Sequence, residues 1–296
     1  MIDLHTHTKY SDGTWSFKEM LINAEQSGID VLSITDHDTV MAYKEIKKED
    51  YNKYFSGKII TGAEFNCMYN GVKIELLGYN FSVEEMNDWI NEEYLSRNNE
   101  ENLMREFNLL IEACHKNGVV VDEIDYNSDM GWPINYIYTS IKKHPENRKL
   151  FSSQEWNDIN YFFRSFTCNI NFPLYIDFSY QTPDAREVAN KIREAGGLVF
   201  LAHLFIYPLS DYEEYLNSII KDNVIDGIEV IHSKFSQEQI NYLIDYCKKR
   251  NLKMSAGTDC HGDKKPDRKL GVGYGNMNVG IDLISDWWCV NERNNI

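Results

Sequence analysis

The chain has 296 residues, of which 43% are hydrophobic and 26% are charged, a balance typical of a globular protein. This composition excludes the collagen-like, coiled-coil and disordered classes. The 30 basic and 46 acidic residues give a formal net charge of −16. We therefore expect no tight binding of long nucleic acid, because such binding needs Lys and Arg to displace counterions along the phosphate backbone.

Short β-branched runs alternate with amphipathic stretches along most of the chain. Strands are predicted at residues 2–5, 31–35, 59–64, 72–79, 198–203, 227–231 and 253–258. Helices are predicted at residues 16–26, 40–50, 83–116, 183–195, 211–221 and 237–250. Three of these helices have a recognisable N-cap residue, namely Ser16, Thr182 and Ser236. The alternation predicts an α/β fold with a parallel sheet or a βα barrel.

Residues 119–180 interrupt this alternation and are rich in aromatic side chains. We interpret them as an inserted, mainly helical subdomain in which most of the aromatic residues form a core. The predicted organisation is a barrel made of residues 1–118 and 181–280, the inserted subdomain 119–180, and a C-terminal tail 281–296.

Cysteine usage and hydropathy indicate the expected compartment. The six cysteines include no Cys-x-x-Cys pair, which favours free thiols in a reducing cytoplasm. The first motif begins at residue 3 with no secretory leader before it, and no run of about 18 apolar residues is present. The sequence therefore predicts a cytoplasmic protein without a membrane partner.

Six of the eight histidines lie in short polar motifs where predicted strands end. The motifs are Asp3-Leu4-His5-Thr6-His7, Ser11-Asp12-Gly13, Thr35-Asp36-His37-Asp38, Gly62-Ala63-Glu64, Ala202-His203, Glu229-Val230-Ile231-His232 and Gly257-Thr258-Asp259-Cys260-His261-Gly262. Because the C-terminal strand ends of a βα barrel converge on one face, we expect these motifs to form one site.

The residue types and their spacing indicate a metal site. His5 and His7 are two residues apart, so their imidazoles project from the same face of an extended strand. Mixed imidazole and carboxylate ligands suit Zn, Mn and Fe. The candidate ligands are His5, His7, Asp12, His37, Glu64, Glu75, His203, Asp259 and His261. These are more than one ion needs, which implies more than one metal, with Glu64 free to bridge.

The ordered motifs, together with 196–203 and 227–230, resemble those of the PHP (polymerase and histidinol phosphatase) family. The most similar branch is the stand-alone phosphoesterases that act on nucleoside monophosphates, 3′,5′-bisphosphorylated nucleotides or RNA 5′ ends. The resemblance implies a distorted (βα)7 barrel with a trinuclear metal site at the C-terminal ends of the strands.

The resemblance also implies how the ligands are shared among two or three divalent Mn, Zn or Fe ions. The first ion would take His5, His7, Glu64 and Asp259. The second would share Glu64 and add His203 and the residue at position 75, and the third would take Asp12, His37 and His261. Asp36 would act in catalysis as a partner that orients a histidine.

Three positions depart from the family pattern. Glu75 stands where the family usually has His, Trp132-Pro133-Ile134 replaces the Arg-Pro-His motif of the insertion, and Leu204 replaces Pro. Glu75 would lie beside the shared ligand Glu64, and two neighbouring carboxylates both stay ionised only if a cation lies between them. We therefore expect Glu75 to ligate the second ion and to shift its preference towards Mn over Zn.

The predicted activity is hydrolysis of a phosphate ester by metal-activated hydroxide, which attacks phosphorus in line. His232 is a candidate proton donor to the leaving oxygen, or a rim histidine in a hydrogen bond. Lys234, Arg268 and Arg97 are candidate phosphate contacts, or solvated side chains. The expected partner is a small phosphorylated substrate, namely a nucleoside monophosphate, a 3′,5′-bisphosphorylated nucleotide or a short RNA. The alternatives are a histidinol-phosphate phosphatase and a non-catalytic, metal-binding regulatory module.

Overall fold

The structure is a computed structural model that describes residues 1–97 and 99–288. Its strands are β1 (Ile2–Asp3), β2 (Val31–Leu32), β3 (Lys58–Ile59), β4 (Gly62–Tyr69), β5 (Val72–Tyr79), β6 (Leu198–Leu201), β7 (Gly227–His232) and β8 (Lys253–Gly257). Its α-helices are α1 (Phe17–Gln26), α2 (Met41–Ile46), α3 (Val83–Arg97), α4 (Glu100–Lys116), α5 (Pro133–Lys143), α6 (Ser153–Asn157), α7 (Ile159–Phe162), α8 (Ala185–Glu194), α9 (Tyr212–Lys221) and α10 (Gln237–Arg250).

The strands form two sheets. Strands β1, β2 and β3 pair in that order and are all parallel. The second sheet has the order β4-β5-β6-β7-β8, in which β6, β7 and β8 are parallel to one another. Strand β5 runs antiparallel to both β4 and β6, so this sheet is mixed, whereas the alternation of elements predicted a parallel sheet or a βα barrel.

The antiparallel pair β4–β5 arises from a turn that the strand prediction missed. Asn70 and Gly71 connect the two strands, and both have positive φ angles, of 48° and 77°. An Asn-Gly pair with this backbone forms the two-residue hairpin turn whose twist matches the flanking strands. Strand β4 therefore continues to Tyr69, five residues beyond the predicted end of the strand at residue 64.

The two sheets approach each other along both flanks. The Leu4 N–H donates to the Ala256 carbonyl at 3.0 Å, which connects the first strand to β8. On the opposite flank the Asp38 N–H donates to the Glu64 carbonyl at 2.9 Å. The described residues thus form a mixed α/β fold of two linked sheets, and the expectation of an α/β fold is confirmed at that level.

Helix ends differ from the predicted ones where capping residues were misjudged. The helix predicted over 83–116 is two helices, because the Asn99 side chain accepts the Asn102 N–H at 2.9 Å and starts α4. Helix α8 is capped by Asp184, which accepts the Arg186 N–H, and the predicted cap Thr182 lies outside it. The caps predicted at Ser16 and Ser236 are confirmed.

Residues 119–180 contain α5, α6 and α7, followed by a π-helical turn at Phe163–Thr167. Their aromatic side chains form a separate apolar cluster, in which the rings of Phe162 and Phe166 stack 5.6 Å apart. Helix α4 packs on α5 and contributes Phe107 to the same cluster. The aromatic residues of this segment therefore serve mainly as core.

Part of the predicted tail is packed against the strands. Trp287 is buried, its ring lies 5.6 Å from that of Tyr79, and its indole N–H donates to the Met254 carbonyl. Residues 289–296 of that predicted tail, Cys289 among them, lie outside the described residues.

The five cysteines that the structure describes are all unpaired and buried. Among the described residues, no helix is both long enough and apolar enough to span a membrane.

Candidate metal centre

The nine predicted ligands converge at the ends of the strands. His5 and His7 follow β1, His37 follows β2, His203 follows β6, and Asp259 and His261 follow β8. Glu64 and Glu75 lie within the hairpin strands β4 and β5, and Asp12 lies on the loop after His7. The structure therefore brings together side chains that are as much as 256 residues apart in sequence, which is the separation of His5 from His261.

The first predicted group surrounds the carboxylate of Glu64. Glu64 Oε2 lies 3.2 Å from His5 Nε2 and 3.3 Å from His7 Nε2. Asp259 Oδ1 lies 3.3 Å from His7 Nε2 and 3.8 Å from His5 Nε2. Both imidazoles and the Glu64 carboxylate are almost completely buried. Two imidazoles and two carboxylates thus share one small volume.

The second group uses the other oxygen of Glu64. Its Oε1 lies 2.8 Å from His203 Nε2, and the same nitrogen lies 3.3 Å from Glu75 Oε2. His203 has φ 27° and Asp259 has φ 57°, a region that residues other than glycine rarely adopt. Both residues therefore reach the site from a strained backbone.

The third group is centred on Asp12. Its Oδ1 lies 3.0 Å from His261 Nε2, 3.7 Å from His37 Nε2 and 3.9 Å from His7 Nδ1. His37 also places Nδ1 at 3.2 Å from Glu64 Oε2, so this imidazole lies between the first and third groups. The three groups are therefore contiguous.

Unpartnered buried atoms show that these residues fit metal ions. Both ring nitrogens of His7, Asp12 Oδ1 and His37 Nδ1 are buried and make no hydrogen bond within the described residues. Burial lowers the pKa of His37 to about 4 and that of His261 to about 3, which keeps both imidazoles neutral. Neutral imidazoles and carboxylates with inward-facing lone pairs are the donor set that divalent transition metals require.

Glu229 is a functional residue that the sequence reasoning quoted but did not assign. Its carboxylate accepts a hydrogen bond from His5 Nδ1 at 2.8 Å and another from the His203 N–H at 2.8 Å. The first contact leaves His5 Nε2 free to face Glu64. A glutamate in the middle of an apolar strand is the signal that could have identified it, because a buried carboxylate needs partners.

Asp36 does not orient a histidine, contrary to expectation. Its buried carboxylate accepts hydrogen bonds from the N–H and hydroxyl of Thr8 and from the hydroxyl of Ser11, each at 2.6 Å. These contacts fix the loop that follows His7 and carries Asp12. Asp36 therefore acts on the site through the placement of Asp12.

His232 is buried beside the first group. Its Nδ1 accepts the Lys234 N–H at 3.2 Å, which assigns the ring proton to Nε2, 3.6 Å from Asp259 Oδ2. Burial holds the pKa of His232 well below its usual value. The ring is therefore a neutral hydrogen-bond donor that faces the site.

A cavity of about 450 Å³ opens above the ligand groups. One side, which we call the strand-end wall, consists of ligand residues: Asp12, His37, Glu64, Glu75, His203, Asp259 and His261. The opposite side, which we call the helical wall, comes from the 119–180 segment: Gln154, Asp158, Asn160, Tyr161 and Arg164. The helical wall thus brings this segment to the site without the Arg-Pro-His motif.

Basic side chains surround the same cavity. Lys264 Nζ lies 2.8 Å from Asp12 Oδ2, Lys265 Nζ lies 2.9 Å from His261 Nε2, and Arg268 pairs with Asp259. Lys234 also lines the cavity, and burial, reinforced by the charge of Arg268, lowers its pKa to about 8. Lys264 and Lys265 were missed because two lysines in a polar loop look like solvated residues in a sequence.

Arg97 is not among the residues that line the cavity. Its guanidinium lies 2.8 Å from Glu93 on its own helix and 3.9 Å from Glu187 on α8. The structure thus places Arg97 outside the cavity lining, and its contact with a substrate phosphate stays a prediction. The arginine that does enter from outside the strand ends is Arg164, which pairs with Glu75.

The fold and this cluster together define a class of protein, namely an α/β protein with a candidate metal centre of many ligands at its strand ends. Residues 3–202 match the PHP domain family, and this match spans more than half of the sequence. The chain therefore belongs to the PHP domain family.

Curated relatives match over a shorter stretch. A 5′-3′ exoribonuclease of Haemophilus influenzae is 37% identical over 79 residues, and the 5′-3′ exoribonuclease Rnm of Escherichia coli is 30% identical over 81 residues. Each match covers 27% of this chain, and it spans only 28% of the relative's length.

Two solved structures share the fold over nearly the whole chain. A predicted metal-dependent phosphoesterase from Bifidobacterium adolescentis has a TM-score of 0.61 and 21% identity, covering 96% of this chain and 94% of its own. An amidohydrolase from Chromobacterium violaceum has a TM-score of 0.61 and 18% identity, covering 91% of this chain and 89% of its own. At these identities the likeness establishes the fold.

Proposed function

We propose that the protein hydrolyses small phosphate esters, namely nucleoside monophosphates, 3′,5′-bisphosphorylated nucleotides or short RNA, in a metal-dependent reaction. This activity would make the chain a hydrolase acting on phosphoric ester bonds. The observation that carries the proposal is the pairing of inward-facing imidazole and carboxylate lone pairs with basic side chains around one cavity. Such an arrangement suits a ligand that is anionic at one end, as a phosphate monoester is.

The hydrogen bonds between the two sheets support a distorted (βα)7 barrel as the scaffold of this site. Two or three divalent ions, with Mn, Zn or Fe as candidates, would be held by the three ligand groups. Bound ions would supply activation of a water molecule and neutralisation of the charge that builds on the phosphoryl oxygens.

The protein's own residues would bind and orient the substrate. Lys234, Lys265 and Arg268 line the cavity and can donate hydrogen bonds to phosphoryl oxygens. His232 is buried outside the cavity lining, with Nε2 3.6 Å from Asp259 Oδ2, and its role as a proton donor to the leaving oxygen stays a prediction from the sequence. Glu229 holds His5 in one tautomer, and Asp36 holds the Asp12 loop, so both act as positioning residues.

The size of the cavity supports a small substrate. A volume of about 450 Å³ falls within the range of small-molecule sites, which is roughly 300–1,000 Å³. The exoribonuclease names of the partial relatives support a nucleotide or short oligonucleotide in this role. A long, structured RNA is disfavoured by the net charge of −16.

A substrate panel tests this proposal. The protein, reconstituted separately with Mn, Zn or Fe, is assayed with AMP, a 3′,5′-bisphosphorylated nucleotide, a short 5′-phosphorylated RNA and histidinol phosphate. We expect turnover of at least one nucleotide substrate, abolished by a chelator. Turnover of histidinol phosphate alone would establish the alternative phosphatase, and no turnover with any metal would favour a non-catalytic module.

A further inference from the structure

Glu75, where the PHP family usually has His, faces a guanidinium from the helical wall. Arg164 donates through Nη2 to Glu75 Oε1 at 3.0 Å, and its Nη1 lies 2.9 Å from Oε2. Arg164 lies in the π-helical turn Phe163–Thr167, 89 residues further along the chain. The contact with Oε1 is a hydrogen bond, whereas Oε2 makes no hydrogen bond within the described residues, so the second contact is an ion pair alone.

The pair changes the charge balance beside Glu64. The Arg164 guanidinium lies within 3.0 Å of both Glu75 oxygens. The protein itself therefore places a positive charge beside Glu75, which neighbours Glu64 through the shared His203 nitrogen. A cation that balances Glu75 is thus present without a metal ion.

Tyr207 holds the pair in place. Its hydroxyl accepts the Glu75 N–H at 2.9 Å, and its ring centroid lies 5.8 Å from Arg164 Cζ. A guanidinium has five N–H donors, of which the hydrogen bond to Glu75 Oε1 uses one. The Arg164 side chain remains 25% exposed and lines the cavity, so donors are left for an anion there.

We propose that Arg164 binds the phosphate of the substrate and that Glu75 anchors Arg164 instead of ligating a metal ion. This inference rests on the proposed function, because it names a residue of the 119–180 segment that recognises the substrate. The competing assignment is a metal ion held by His37, Glu64 and Glu75, whose ligand atoms lie within 4.8 Å of one another.

Binding of inorganic phosphate to the metal-loaded protein tests the role of Arg164. Isothermal titration calorimetry compares wild type with Arg164→Gln and with Arg148→Gln, a control in the same segment whose exposed side chain does not line the cavity. We expect phosphate affinity to fall about 10- to 100-fold in Arg164→Gln, as for the loss of a charge-assisted hydrogen bond. Equal affinities in all three proteins would overturn the proposal.

A double variant separates contact from charge. Arg164→Gln leaves the Glu75 carboxylate without its partner. The unpaired negative charge of Glu75 would then itself repel phosphate. In the double variant Arg164→Gln/Glu75→Gln this charge is gone, and we expect phosphate affinity to stay at least about 10-fold below wild type. Recovery of wild-type affinity would mean that Arg164 only neutralises Glu75, which contradicts the proposal.

Metal content tests the role of Glu75. Elemental analysis after reconstitution is expected to give the same number of ions per chain in Glu75→Gln as in wild type. A loss of about one ion per chain would make Glu75 a ligand and overturn its assignment as an anchor. Phosphate binding that depends on Arg164, combined with no turnover on the substrate panel, would instead contradict the proposed function and leave this inference intact.

Discussion

The two walls of the cavity are built in different ways. On the strand-end wall, most side chains lie within a strand or follow the end of one, and the hydrogen bonds of two sheets fix the positions of these strands. On the helical wall, side chains extend from short helices and a π-helical turn packed on their own aromatic cluster. The strand-end wall presents lone pairs, whereas the helical wall contributes the guanidinium of Arg164.

The two walls are therefore suited to different tasks. Precise placement by paired backbone suits residues that must share small ions at distances fixed within fractions of an ångström. Helices joined by loops tolerate changes of length and sequence more readily, which suits the choice among substrates. We therefore expect changes on the strand-end wall, Glu75 excepted, to reduce metal content and turnover, and changes among the residues that contact substrate to alter affinity.

The largest effect is expected at a shared ligand. His5→Ala and Asp259→Ala should each lower kcat/KM by more than about 100-fold, because removing a direct ligand exceeds the 10- to 100-fold loss typical of an outer partner. Steady-state kinetics with elemental analysis measures both properties. Retained turnover in either variant would contradict the assignment of that residue, and a native circular dichroism spectrum would show that the fold is intact.

Glu229→Gln should have the next largest effect. Glutamine keeps the size of the side chain but loses the charge that faces His5 Nδ1, so metal affinity should fall about 10- to 100-fold. Competition with a chromophoric chelator measures this affinity. An unchanged affinity would mean that Glu229 only fills space in β7.

His5, Asp259 and Glu229 also show how far the sequence predicts the site. The approach of His5 to Asp259 was predictable because both follow predicted strands, whose C-terminal ends converge. Glu229 was visible in its motif, but its two partners come from other strands and only the folded sheet identifies them.

Other features required the structure itself. The pairing of Arg164 with Glu75 depends on how a helical segment packs over the strands, and no local pattern encodes a contact across 89 residues. Arg97 lies on a helix, as predicted, but its guanidinium pairs with Glu93 of the same helix. The β4–β5 hairpin could have been predicted from the turn signal Asn70-Gly71. It was missed because the preceding strand was predicted to end at residue 64, before this turn.

A moderate effect is expected where the substrate contacts the protein. Lys234→Met should raise KM about tenfold with little change in kcat, because it removes one charge-assisted hydrogen bond to a phosphoryl oxygen. Lys248→Met on the exposed side of α10 is the matched control and should behave as wild type. An equal drop of kcat in Lys234→Met would place this lysine in the chemical step.

The smallest effects compare the stability of the regions that carry the two walls. Ser16 caps α1 of the strand-bearing region and Ser152 caps α6 of the 119–180 segment, each in a capping box. Replacing either by Ala should lower the free energy of unfolding by about 1 kcal/mol. In urea titrations followed by fluorescence, a common transition shifted equally by both variants would indicate one cooperative unit. Two transitions, each shifted by one variant, would indicate two units.

The positive φ angles of His203 and Asp259 have a consequence for any attempt to make this protein more robust. Each such residue costs the native state on the order of 1–3 kcal/mol relative to a relaxed backbone. Glycine at either position would relieve that cost, and a search for heat-resistant variants would select it. The same substitution removes a candidate metal ligand. Selection for heat resistance without an activity screen would therefore enrich variants that are more stable but have lost a ligand of the metal centre.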